Sequence, residues 1–133
     1  MDANEETLIS DPNEILYRQI HPNHYSYGQI ASICFCPNSQ DNNKLSVRQS
    51  KHVSSKEAFE IHKNILNLKT VGTWGLSVEE VSREALKVID DSDHVSNKGH
   101  AYINFNSLTK NESKKIAQKL VKYAMNRGNL YEE

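Results

Sequence analysis

Residues 109–128, TKNESKKIAQKLVKYAMNRG, decide how the rest of the chain is read. Thr109 and Glu112 stand three apart, the spacing of a capping box. In that box the hydroxyl accepts from an orphan backbone N–H at the helix start, and the carboxylate returns a bond to the cap. Ile116, Leu120, Tyr123 and Ala124 then recur at helical spacing, and Gly128 after Arg127 is a natural stop. Working outward, the same device recurs at Ser54…Glu57 and Ser77…Glu80. Three boxes, each followed by helical periodicity, predict helices over 54–68, 77–89 and 109–127. The first would bury Ala58, Ile61, Ile65 and Leu68, widened by Phe59 and Leu66. The second would bury Val78, Val81, Ala85 and Val88, with Leu76 stapled onto Val81.

The apolar segments between and before these helices read as strands at Ile15–Ile20, Ile30–Cys36, Leu45–Arg48, Thr70–Leu76 and His100–Phe105. The last alternates, with Ala101, Ile103 and Phe105 on one face and His100, Tyr102 and Asn104 on the other. The predicted fold is α+β, in the order β-β-β-α-β-α-β-α. A single sheet of about five strands would carry three helices mainly on one face. The predicted organisation is an acidic, flexible N-terminal arm over 1–14, carrying five carboxylates and no Lys or Arg, followed by one domain over 15–133.

Size and composition narrow the class. A chain of 133 residues buries somewhat over ~65% of its unfolded surface, enough for a core without staples. Its two cysteines, Cys34 and Cys36, are too close together to cross-link a fold. No run approaches the ~18 apolar residues of a membrane span, and the acidic start lacks a signal-peptide pattern. A soluble protein of the cytoplasm, with no membrane partner, is expected. The frequency of Asn and Lys suggests an AT-rich bacterial or phage genome. A formal net charge of −1 excludes binding of polyanions by bulk charge alone.

Four groups of residues stand out. His21, His24, Cys34 and Cys36 have zinc-compatible side chains, but Cys-x-Cys lacks the tight turn of a Cys-x-x-Cys knuckle, so no metal is expected. Arg18 shares a strand face with Leu16 and Ile20, and a guanidinium there needs an anion or a set of carbonyls. Asp41 and Glu60 are candidate internal partners, and a ligand phosphate is the external one. His21 and His24 follow that strand in a loop, where groups that titrate near neutrality collect. Arg18, His21 and His24 are therefore the candidate catalytic residues, and whether the chain is an enzyme stays open. Lys115, Lys119 and Lys122 form one line on a helix segment of charge +5, and His100 and Tyr102 lie on the predicted outer sheet face. These five are the candidate binding residues.

The opening strand Leu16-Tyr17-Arg18 is similar to that of some ADP-ribosyltransferase-like toxins, where an Arg or His there helps hold a dinucleotide. The chain has neither their Ser-Thr-Ser segment nor a Glu-x-Glu motif in place. All five glycines are isolated, so no dinucleotide or phosphate loop is present, and no Gly-x-Ser-x-Gly elbow occurs. The expected function is that of a small accessory protein acting by contact with another protein or a nucleic acid, without cofactor. A bacterial toxin–antitoxin or phage-defence locus fits that reading. The alternative is a small nucleotide- or RNA-directed enzyme or toxin, ADP-ribosyltransferase-like or ribonuclease-like, using Arg18 with His21 or His24.

Overall fold

A computed structural model describes residues 7–37, 43–91 and 98–132. Its main sheet has six strands: β1 (Thr7–Leu8), β2 (Ile15–Gln19), β5 (Lys44–Gln49), β6 (Thr73–Ser77), β7 (Lys87–Asp90) and β8 (His100–Asn104). They lie in the order β1-β7-β8-β5-β2-β6, antiparallel throughout. A small hairpin of β3 (Tyr25–Ser26) and β4 (Gln29–Ile30) sits apart from it. With the helices α1 (Ser55–Glu60), α2 (Val78–Arg83) and α3 (Lys110–Arg127), the fold is α+β, as the periodicity predicts.

All three capping boxes are formed at both bonds. Thr109 Oγ1, for example, accepts from the Glu112 N–H at 3.1 Å, and Glu112 Oε1 accepts from the Thr109 N–H at 2.9 Å. Gly128 closes α3 with φ +88°, a conformation that costs glycine nothing.

Several elements differ from the expected ones. α2 stops at Arg83, and Ala85 takes a left-handed φ of 61° to turn the chain. Val88 therefore lies on β7 rather than on a helix. α1 is regular only to Glu60 and continues as one π-helical turn over Ile61–Ile65, where the Leu66 N–H reaches the Ile61 carbonyl at 2.9 Å. Ile65, Leu66 and Leu68 are consequently exposed, so the second half of the expected stripe is not core. The segment taken for a strand at Ile30–Cys36 holds a 3₁₀ turn, Ser32–Phe35, which buries Cys34 and Phe35. Of the expected acidic arm, residues 1–6 lie outside the described residues. Thr7 and Leu8 pair with β7, and Glu14 is buried, accepting from the Ser50 hydroxyl and from the Lys51 N–H at 2.8 Å.

Cross-strand partners share a face, so the register sorts the sheet into two sides. Leu16, Leu76, Leu45, Val47, Ala101 and Ile103 point to one side. There, with residues of α2, α3 and the 3₁₀ turn, they form the main core around Phe35, Phe105 and Leu120. Tyr17, Gln19, Thr73, Ser46, Arg48, His100 and Tyr102 point to the other side. α1 covers the β2–β6 end of that side, where the Thr73 hydroxyl donates to the Ser55 carbonyl at 3.1 Å. Two helices and the 3₁₀ turn thus share one face, and α1 takes the other.

Beyond α3, Leu130 and Tyr131 return to β6. The Thr73 N–H donates to the Tyr131 carbonyl, and the Leu130 N–H to the Thr73 carbonyl, each at 2.8 Å. Gly72 and Gly75 permit this approach, since a Cβ on either would come within 2.8 Å of the Tyr131 carbonyl oxygen or the Leu130 side chain. Among the described residues, no helix is long and apolar enough to cross a membrane.

Candidate functional site

The sheet is split where β2 should meet β5. β2 pairs with β6 at five positions from Ile15 to Gln19, but with β5 only at Leu16–Gln49 and Tyr17–Arg48. Beyond Tyr17 the two strands part, and inner backbone groups there need another partner. Arg18 fills that gap. Its Nη1 donates to the Ser46 carbonyl on β5 at 3.0 Å, and its Nε to the Cys34 carbonyl on the 3₁₀ turn at 2.9 Å.

The partner of Arg18 is thus a pair of carbonyls. Glu60 is not bonded to it, and Asp41 lies outside the described residues. Of the five guanidinium N–H groups, these bonds use two. Nη2 has no bond, and it is not sealed off: among the described residues, the only enclosed side-chain nitrogen or oxygen lacking a partner is Gln49 Nε2. Arg18 lines the space beside the split.

That space has two lobes. One, of about 290 Å³, lies in the split, walled by Tyr17, Arg48, Leu66 and His100 beside Arg18. The other, of about 470 Å³, lies past the end of β2 and is lined by His21, His24, Ile33, Cys34 and Lys69. Arg18, Gln19, His62 and Leu68 belong to both. His21 and His24 are brought together by the 3₁₀ turn Pro22–His24, which His21 caps by accepting from the Asn23 N–H; their rings lie 5.7 Å apart. The candidates Arg18, His21 and His24 thus line one lobe.

No Asp or Glu lines either lobe among the described residues. Neither Arg18 nor Arg48 forms an ion pair there. Arg48 donates to the Lys98 carbonyl at 2.6 Å. Burial lowers the pKa of both guanidinium groups. At His62 burial, then Arg18 and Arg48, hold the pKa down to about 4. His100 is lowered chiefly by burial, against the pull of Asp91, whose carboxylate lies 3.2 Å from its Nδ1. Among the described residues, the concavity thus carries two guanidinium groups, partly removed from water, and no carboxylate on its walls.

The sequence places Arg48 only on the outer sheet face beside His100, and it gives no sign of His62. His62 sits on the π-helical turn of α1, a distortion often found at functional sites. The remaining candidates lie elsewhere. Lys115, Lys119 and Lys122 are exposed on α3, and Lys119 pairs with Glu84 at 3.3 Å. Tyr102 lies on the outer sheet face with His100, as expected of both, but is only 8% exposed, with Lys44 Nζ 4.5 Å from its ring centre. Cys34 and Cys36 flank the end of the 3₁₀ turn. Among the described residues, no three His, Cys, Asp or Glu side chains are grouped to hold a metal.

No family model, curated protein or solved structure matches this chain. The reading of the cleft rests on its own chemistry.

Proposed function

We propose that this chain binds a phosphate-bearing ligand, a nucleotide or a nucleic acid, in the split between β2 and β5. The observation that carries the reading is the wall of the cleft. Arg18 and Arg48 face it without a carboxylate, joined by four of the protein's six histidines. Guanidinium groups suit this task because their planar donors match phosphate oxygens two at a time. Arg18 is also pre-organised: two carbonyls fix its plane, so little rotamer freedom remains to be lost on binding. The cleft, rather than the lysine line of α3, is the centre of this function.

Isothermal titration with inorganic phosphate and with a nucleoside monophosphate tests the reading. Both should bind, and added salt should weaken both. Arg48→Ala should reduce affinity about ten- to a hundredfold, since a hydrogen bond to a charged group contributes about 1.5–3 kcal/mol. Equal affinity in the wild type and in a folded Arg48→Ala protein would sink the proposal.

A further inference from the structure

We infer that the ligand is a phosphodiester, one dinucleotide step of a single-stranded nucleic acid, with its phosphate at the wall shared by the two lobes and one nucleoside on each side. The inference rests on the proposed anion site and adds the ligand's shape.

The shared wall is made by Arg18, Gln19, His62 and Leu68. Gln19 is anchored there, because one Nε2 N–H donates to Thr73 Oγ1 at 2.7 Å and its Oε1 accepts from Thr70 Oγ1 at 2.9 Å. What remains to meet a ligand at the junction is the unused side of Arg18, the second amide N–H of Gln19 and the ring of His62. Away from the junction, each lobe offers rings, an aliphatic side chain and one cation that can reach toward the phosphate. The first has Tyr17, His100, Leu66 and Arg48; the second has His21, His24, Ile33 and Lys69. Rings beside a cationic groove are the usual means of holding successive bases of a single strand.

Ligand geometry selects among phosphates. Inorganic phosphate would fill the junction and leave both lobes empty. A monoester would fill one lobe. A diester carries a single charge and two organic arms that diverge from phosphorus, and two lobes meeting at one guanidinium accept that shape. The volumes agree: about 290 and 470 Å³ lie near or below the lower part of the range for small-molecule sites, roughly 300–1,000 Å³. Each lobe suits one nucleoside rather than a larger group. Leu66 and Ile33, 44% and 58% exposed, each line one lobe only.

Titration of the full chain with three probes tests this: inorganic phosphate, a nucleoside monophosphate and a dinucleoside monophosphate, each by calorimetry. The dinucleoside monophosphate should bind at least tenfold more tightly than the mononucleotide. A tetranucleotide should bind about as tightly as the dinucleotide, since one step fills the cleft. Leu66→Ala and Ile33→Ala change exposed side chains and should leave the fold intact. Each should weaken the dinucleotide severalfold, while at most one of them weakens the mononucleotide. If the mononucleotide and the dinucleotide bind equally, or neither variant affects the dinucleotide, the two-lobed reading is overturned and the anion site stands. If none of the three probes binds, the anion site itself falls.

Discussion

Replacing Arg18 by Ala separates a structural guanidinium from a ligand-binding one, because the two make opposite demands on stability. The side chain donates two charge-assisted bonds, to the carbonyls of Cys34 and Ser46. Each such bond contributes about 1.5–3 kcal/mol, but removing the guanidinium also recovers the cost of desolvating it. The Ser46 carbonyl faces the open split and can turn to water. The Cys34 carbonyl is the one left short, a loss of about 1–3 kcal/mol. For a chain of this size, ~1 kcal/mol moves the midpoint by about 4 °C, so Arg18→Ala should melt about 4–12 °C early. Breaking a buried ion pair would cost about 3–5 kcal/mol and move it further. The second half of the measurement uses ligand. At a hundred times its dissociation constant, an anion raises wild-type stability by about 2.7 kcal/mol, or about 10 °C. Arg18→Ala should lose most of that increment at the same concentration. Differential scanning fluorimetry with and without phosphate reads both quantities. An anion-induced shift as large in the variant as in the wild type would refute the assignment of Arg18 to the ligand.

Three further outcomes are expected. His62 has a folded pKa of about 4 against an ordinary 6.5, so the native state binds fewer protons than the unfolded one between those values. Stability should fall as pH drops from about 6.5 to 4, and His62→Gln should flatten that part of the acid melt. A bound anion offsets the guanidinium groups of Arg18 and Arg48 beside that ring, so phosphodiester binding should tighten over the same window more steeply in wild type than in His62→Gln, which keeps the other three histidines of the cleft. Thr109→Ala removes a cap bonded at both ends and should cost about 1 kcal/mol in chemical denaturation. Charge reversal at Lys115 and Lys122 should leave phosphate affinity within about twofold, because both side chains are exposed and line neither lobe, and salt screens exposed charges; a larger loss would move the binding surface onto α3.

The parts of this fold that announce themselves in sequence are those stabilised locally. A capping box needs only a hydroxyl and a carboxylate three apart, and all three were legible for that reason. Where tertiary context decides, the pattern misleads. Val88 continues the helical spacing of Val78 and Val81, yet the left-handed Ala85 ends α2 without a glycine to mark it. Ile33, Cys34 and Phe35 read as a buried strand because a 3₁₀ turn has no periodicity long enough to detect. The candidate site divides in the same way. Arg18 stood out as a cation on an apolar strand face, and His21 and His24 as a loop beside it. Arg48 looked like an ordinary outward strand residue, and His62 lay between apolar positions of an expected helix. The parting of β2 from β5 brings them together, and pairing register is not written in either strand alone.

The return of Leu130 and Tyr131 to β6 has a bearing on how the molecule avoids its own kind. β6 is the outermost strand on its side of the sheet, and a bare row of amides there would be a template for another chain. Backbone bonds at Thr73 occupy part of that row, the Tyr131 ring packs edge-on to Phe59 at 5.1 Å, and the Ser55 hydroxyl donates to the Leu130 carbonyl. These few residues act as a sheath. Proteolytic nicking at Asn129 would lift it and leave the edge of β6 bare while the core stays in place, so loss of solubility would precede loss of structure.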